Sequence, residues 1–220
     1  MKLKKIASLM LAGVMAASML AGCSGNNGSG NNGNNGGEIT VPSTSAIVDA
    51  FNDGQDPDND IKITFTSDSA LESVLKQAVK MSDYNEDFQD QSGNTVTNAD
   101  VILANIQALT GKAYDALFTI NNVDQAKDKM VKTELNVITC NSSDYYTEDF
   151  ALKNIAKTVD EKIADLLVDN MNGKKDGEQY FSFSYTGAVS MVADAEEDGT
   201  TTWYIAYTIT QTAAQETFYA

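Results

Sequence analysis

The chain of 220 residues has no histidine and no arginine, and only two cysteines, two prolines and one tryptophan. Each scarcity removes a class of chemistry. Without histidine there is no Ser-His-Asp triad, no Cys-His dyad and no HExxH zinc helix. Without arginine there is no bidentate guanidinium clamp for phosphate or carboxylate. The 15 lysines face 31 acidic residues, a formal charge of −16. Nucleic-acid affinity rests on neutralising phosphates with Lys and Arg, so nucleic acid is not an expected partner. The acidity reads first as solubility of an exposed surface.

The N-terminal residues carry the most specific signal. Lys2, Lys4 and Lys5 precede an apolar and small-residue run of 15, Ile6 to Leu20. A hydrocarbon core takes about 20 residues to span, so this run is too short and has the shape of a secretory signal peptide. It ends in Leu20-Ala21-Gly22-Cys23. That tetrapeptide resembles the lipobox of bacterial lipoproteins at every position. The resemblance implies cleavage before Cys23 and a diacylglyceryl group on its thiol. It further implies attachment to the cell membrane with the body facing outside, or facing the periplasm in a Gram-negative cell. Two acyl chains, at about 0.8 kcal/mol per buried methylene, hold a stable anchor where one is marginal. The resemblance covers about 25 residues and bears on location only.

With Cys23 acylated, Cys140 is the one remaining thiol, so no disulfide is expected within the chain. In the run LNVITC it reads as a small buried apolar side chain. Residues 24–37, SGNNGSGNNGNNGG, hold no apolar side chain and read as a flexible tether with a reach of roughly 20 Å. The organisation is therefore a leader over 1–22, a lipidated Cys23 with its tether to 37, and one globular domain over 38–220. A body of this length buries about 70% of its unfolded surface.

The body reads as α+β. Residues 43–52 form a helix candidate with Ile47, Val48 and Phe51 on one side, followed by an acidic loop over 53–60. In 61–66, Ile61, Ile63 and Phe65 alternate with Lys62, Thr64 and Thr66, the pattern of a half-buried strand. Ser69 and Glu72 have the spacing of a capping box, ahead of Leu71, Val74, Leu75, Ala78 and Val79 at helical intervals. Residues 82–97 read as loop, and Thr97 with Asp100 as a second cap opening a helix that ends near Gly111. Residues 112–118 and 122–132 read as short helical pieces, 135–140 as a buried strand and 147–172 as the longest helix.

The last residues change period. Over 180–193, Phe181, Phe183, Tyr185, Val189 and Met191 share a face. Over 201–212, Trp203, Ile205, Tyr207 and Ile209 do the same. Asp198-Gly199 between them is a hairpin turn signal. One apolar face requires a cover, and 147–172 is the expected one, with 61–66 and 135–140 extending a small sheet.

Three groups are candidates for function. Asp56, Asp58 and Asp60 hold the 1, 3, 5 spacing of an EF-hand loop, but Ile61 stands where glycine belongs and Ser67 where glutamate belongs. Calcium on these three carboxylates is thus the one cofactor expectation, in a non-EF arrangement. Residues 93–101 echo a dockerin loop only faintly, since Gln89, Gln91 and Gly93 replace its ligands; they read as a capped helix. Tyr204, Thr208 and Thr210, on the polar face of the last strand, are the expected ligand-binding surface. Tyr145 and Tyr146 are further aromatic candidates, and Glu196, Glu197 and Asp198 offer carboxylates at a hairpin tip, a poor place to tune a catalytic acid. The functional expectation is a binding module for an extracellular ligand or protein partner. A carboxylate-dependent hydrolase and an accessory subunit of a surface or transport complex are the alternatives.

Overall fold

The computed structural model describes residues 43–82, 88–141, 147–195 and 200–219. Cys23 with its leader and tether, Tyr145, Tyr146, and Glu196 to Gly199 lie outside the described residues. The domain is α+β, with helices α1 (Thr44–Asp53), α2 (Ser69–Lys80), α3 (Asn98–Thr110) and α4 (Glu148–Ala164). Its strands are β1 (Phe65–Ser67), β2 (Phe88–Gln89), β3 (Thr95–Val96), β4 (Val131–Asn141), β5 (Gln179–Ala195) and β6 (Thr201–Thr217).

Strands β5 and β6 are antiparallel along their whole length, from Gln179 opposite Thr217 to Ala195 opposite Thr201. This is the C-terminal pair that the alternation predicts, with β5 longer at both ends and β6 longer at its C-terminal end than the sequence pattern suggests. The sheet runs β1-β5-β6-β4, with β1 parallel to β5 and β4 antiparallel to β6. The C-terminal pair therefore forms the centre of the sheet. A separate two-stranded ribbon, β2-β3, occupies part of the region expected as loop. Its turn is closed by the Asp90 carboxylate, which accepts from the N–H groups of Ser92 (2.7 Å) and Asn94 (2.9 Å).

Both faces of the sheet are covered. On one face α1 and α4 bring Ile47, Phe51, Ile155, Val159 and Ile163 against Trp203, Ile205, Tyr207 and Ile209. Phe51 meets Phe65 and Tyr207 edge to face, with ring centroids 5.1 and 5.6 Å apart. On the other face α2 and α3 bring Leu71, Leu75, Ala78, Ile102 and Ile106 against Leu135, Tyr204 and Ala206. Each such aliphatic or aromatic side chain contributes about 1.5–3 kcal/mol when fully buried.

This second layer overturns one expectation. Tyr204 is 5% exposed and packs inside the core under α2 and α3. The alternation in β6 separates two buried faces, and its polar-looking side begins with a tyrosine and an alanine that a helix pair covers.

The helix starts follow side-chain chemistry. Ser43 accepts from the Ala46 N–H, and Thr147 accepts from that of Phe150. Thr97 and Asp100 make a full capping box, and Gly111 ends α3 with φ 61°. The cap of α2 is Asp68, one residue before the expected Ser69, because its carboxylate accepts from both Ala70 (2.9 Å) and Leu71 (3.0 Å).

Four further expectations are corrected by tertiary hydrogen bonding. Helix α4 stops at Ala164, because residues 168–170 leave the helix to pair with β5: Phe183 N–H donates to Val168 and Asn170 N–H to Phe181. Residues 112–118 are not helical. The Phe118 N–H donates to Gln211 Oε1 and the Asp115 N–H to the Thr133 carbonyl. Residues 122–132 hold only a 3-10 turn, Val123–Gln125, before β4 begins. Residues 61–64 keep the predicted inward faces of Ile63 and Phe65, but regular pairing starts at Phe65.

Candidate functional site

The helix pair on the α2/α3 face does not reach the whole sheet. Where it stops, β5, β6 and β4 present small side chains: Ala188 lies opposite Thr208, while Thr186 and Thr133 flank Thr210. The result is an open cleft of about 520 Å³. Its floor is Ala188, Thr208, Thr210 and Thr133; its walls are the first turn of α2 and the segment from Thr110 to Tyr114.

Each wall is held by identifiable bonds. The α2 wall is fixed by the Asp68 cap, and the Ser190 hydroxyl donates to the Asp68 carbonyl. The other wall follows Gly111, whose left-handed conformation turns the chain sharply out of α3. It is tied to the sheet by the Asp115 N–H on the Thr133 carbonyl at 3.0 Å and by the Lys132 ammonium on the Ala116 carbonyl at 3.0 Å. Lys132 also sits 4.1 Å above the centroid of the Phe118 ring.

The chemistry of the cleft is hydroxyl-rich. Thr133 and Thr210 share a hydrogen bond at 3.0 Å, and Thr110 donates to the Ile106 carbonyl at 2.8 Å. Thr208, Tyr114 and Lys112 complete the polar lining, with Leu71 and Val74 as apolar contacts. Hydroxyls both donate and accept, an aromatic ring supplies a stacking surface, and a lysine supplies a point charge. Such a lining matches a neutral ligand with several hydroxyl or amide groups. Of the lining residues Asp68 is the one acid, and its carboxylate is engaged as the helix cap. A catalytic carboxylate pair is not assembled in this cleft.

Two of the three residues expected to recognise a ligand, Thr208 and Thr210, thus lie together on the cleft floor, and Tyr204 lies in the core beneath the helices. Sequence reading missed Thr133, Lys112 and Tyr114. Thr133 carries the same alternation signal in β4 as Thr208 does in β6. Lys112 and Tyr114 fall in the segment misread as helix.

The acidic loop is organised differently. The Asp56 carboxylate accepts from the Asp58 N–H at 2.9 Å. Asp160 of α4 reaches the loop from outside, accepting from the Asp56 N–H at 2.9 Å and from Asn59 Nδ2 at 2.8 Å. Asp58 and Asp60 border a small hollow of about 130 Å³ beside Ile163 and Leu166, and Asp56 is not among its lining residues. Among the described residues, no three acidic or thiol side chains converge as a metal ion would require. Cys140 is buried in the α1/α4 core. No helix among the described residues is long and apolar enough to cross a membrane.

No family model matches the chain, and no curated protein or solved structure shows significant similarity to it.

Proposed function

We propose that this chain is a lipid-anchored, outward-facing bacterial surface protein whose globular domain binds a small neutral polar ligand. The anchor rests on the sequence around Cys23. The binding reading rests on one observation: Thr133, Thr208 and Thr210 of the sheet face Lys112 and Tyr114 across one open cleft. The ligand class is a saccharide or short peptide fragment whose hydroxyl or amide groups match those donors and acceptors. A tethered domain carrying such a cleft acts as a receptor for material outside the cell membrane.

The test is a thermal melt of the full chain against a panel of oligosaccharides and cell-wall peptides, with calcium and with chelator. Ligand at 100 times its dissociation constant adds about 2.7 kcal/mol to stability. The expected result is a higher midpoint with one ligand class, lost in the double variant Thr208→Val, Thr210→Val. No shift with any probe, or a shift that survives the double variant, overturns the reading. A shift that needs calcium and is lost in Asp58→Asn moves the site to the acidic loop.

A further inference from the structure

The floor of the threonine cleft runs on past its walls. Residues paired across β5, β6 and β4 share a face, and successive rows on that face are two residues apart. The row after Ala188 and Thr208 is Thr186, Thr210 and Thr133. The next is Ser184, Thr212 and Val131. Thr210 and Thr133 still lie within the cleft, and Thr186 stands exposed beside it. Ser184 is exposed as well, and Val131 is 56% exposed. Past Ser182 and Ala214 the strip ends at Glu216, whose carboxylate accepts from the hydroxyls of Ser182 and Tyr180. From Thr208 to Ala214 it measures about 20 Å.

The chemistry of the strip is uniform. Its two rows beyond Thr208 hold threonine, serine and one valine, with no charged residue, in a chain whose formal charge is −16. Thr133 and Thr210 bond to each other at 3.0 Å, which leaves the pair one hydroxyl proton and several lone pairs for a ligand. The backbone is not on offer. The N–H and C=O groups of β6 lie in the plane of the sheet and are taken by β4 and β5. An extended peptide is recognised through main-chain bonds at a sheet edge, and on this face it meets side chains only. A sugar chain carries hydroxyls on every unit, and these match side-chain hydroxyls that both donate and accept.

We infer that the ligand is a linear, uncharged polysaccharide. One end sits in the cleft, and the units that follow lie along β6 over Thr210 and Thr212, flanked by Thr186 and Ser184. This rests on the reading of the cleft as the binding site and adds to it the class and the length of the ligand. Charge agrees. An acidic polymer is repelled by the net negative chain, and a basic one meets its first carboxylate on the strip only at Glu216.

The test is calorimetric titration of the full chain with β-1,4-linked oligomers of N-acetylglucosamine and of glucose, from dimer to hexamer. The expected result is that in one of the two series the hexamer binds about tenfold or more tightly than the dimer, since each added unit adds hydrogen bonds. Thr212→Lys is expected to bring the hexamer down to the affinity of the dimer and to leave the dimer unchanged. Ser184→Glu, at an exposed position, does the same and serves if the lysine variant does not fold. Thr208→Val weakens every length. Dimer binding that is lost in Thr208→Val, with no gain on lengthening, overturns the extended ligand and leaves the cleft reading standing. A gain with length that survives both strip variants also overturns it. No binding by any oligomer overturns the polysaccharide and the cleft reading together.

Discussion

Gly187 of β5 lies directly opposite Phe65 of β1, and a Cβ added to it would collide with the phenyl Cδ1. The ring occupies the space a side chain would need. Phe65 in turn packs edge to face on Phe51, so the ring cannot retreat without disturbing the α1 contact. Gly187→Ala is expected to destabilise the fold by about 1–3 kcal/mol, the usual cost of overpacking. Pairing it with Phe65→Leu recovers part of the loss. Urea unfolding of the two variants and their combination gives the coupling directly.

Asn52 tests the sheet edge at β1. Its amide satisfies both backbone groups of Phe65. Asn52→Ala leaves two part-buried groups without their partner, and a loss of about 1–3 kcal/mol is expected. Asn52→Asp keeps the acceptor but loses the donor, so it falls between the two in a denaturant series.

Alkaline pH probes the buried tyrosines. Burial pushes the Tyr185 hydroxyl up to about 12, although the bond that the Gln211 amide donates to its oxygen works the other way. Burial also raises Tyr207, with the nearby Glu134 carboxylate adding to it. A raised folded value means that the folded state holds the proton more tightly. The stabilisation is complete below the ordinary value of 10 and is lost as pH rises toward about 12. Unfolding free energy measured across that window is expected to fall, and Tyr185→Phe to flatten the fall while lowering stability at neutral pH.

The anchor is tested at Cys23. Cys23→Ala is expected to leave the leader uncleaved at that position and the protein without acyl chains. Mass spectrometry of the N-terminal peptide reads both. An unmodified Cys23 thiol in the parent protein would sink the lipoprotein reading.

Much of the fold is legible in local pattern, and the failures share one cause. The Thr97–Asp100 box, the αL glycine at 111 and the alternation of β5 and β6 are short-range signals, and the structure contains them. The misread segments are those whose backbone groups are claimed from afar. Gln211 lies 93 residues from Phe118 and takes both its N–H and its carbonyl. Residues 168–170 have helical periodicity but exchange it for pairing with β5. Tyr204 was unreadable for another reason. Alternation shows that a strand has two faces, but which faces are covered depends on helices far away in sequence. The cleft shares that limit: its threonines are visible in β6, while the wall opposite them is set by the turn after Gly111.

The order of the sheet also constrains how the chain comes together. The two central strands are the last two in sequence, and the edge strands β1 and β4 are made before them. Phe65 waits for Gly187, and Val131 waits for Thr212. Every helix that covers the sheet is therefore synthesised before the surface it covers. Closing such distant pairs carries a large loop entropy and slows folding. Most of the domain precedes Gln179 and lacks its central strands until they arrive, so a ribosome-held or truncated chain without β6 is expected to be open and protease-sensitive.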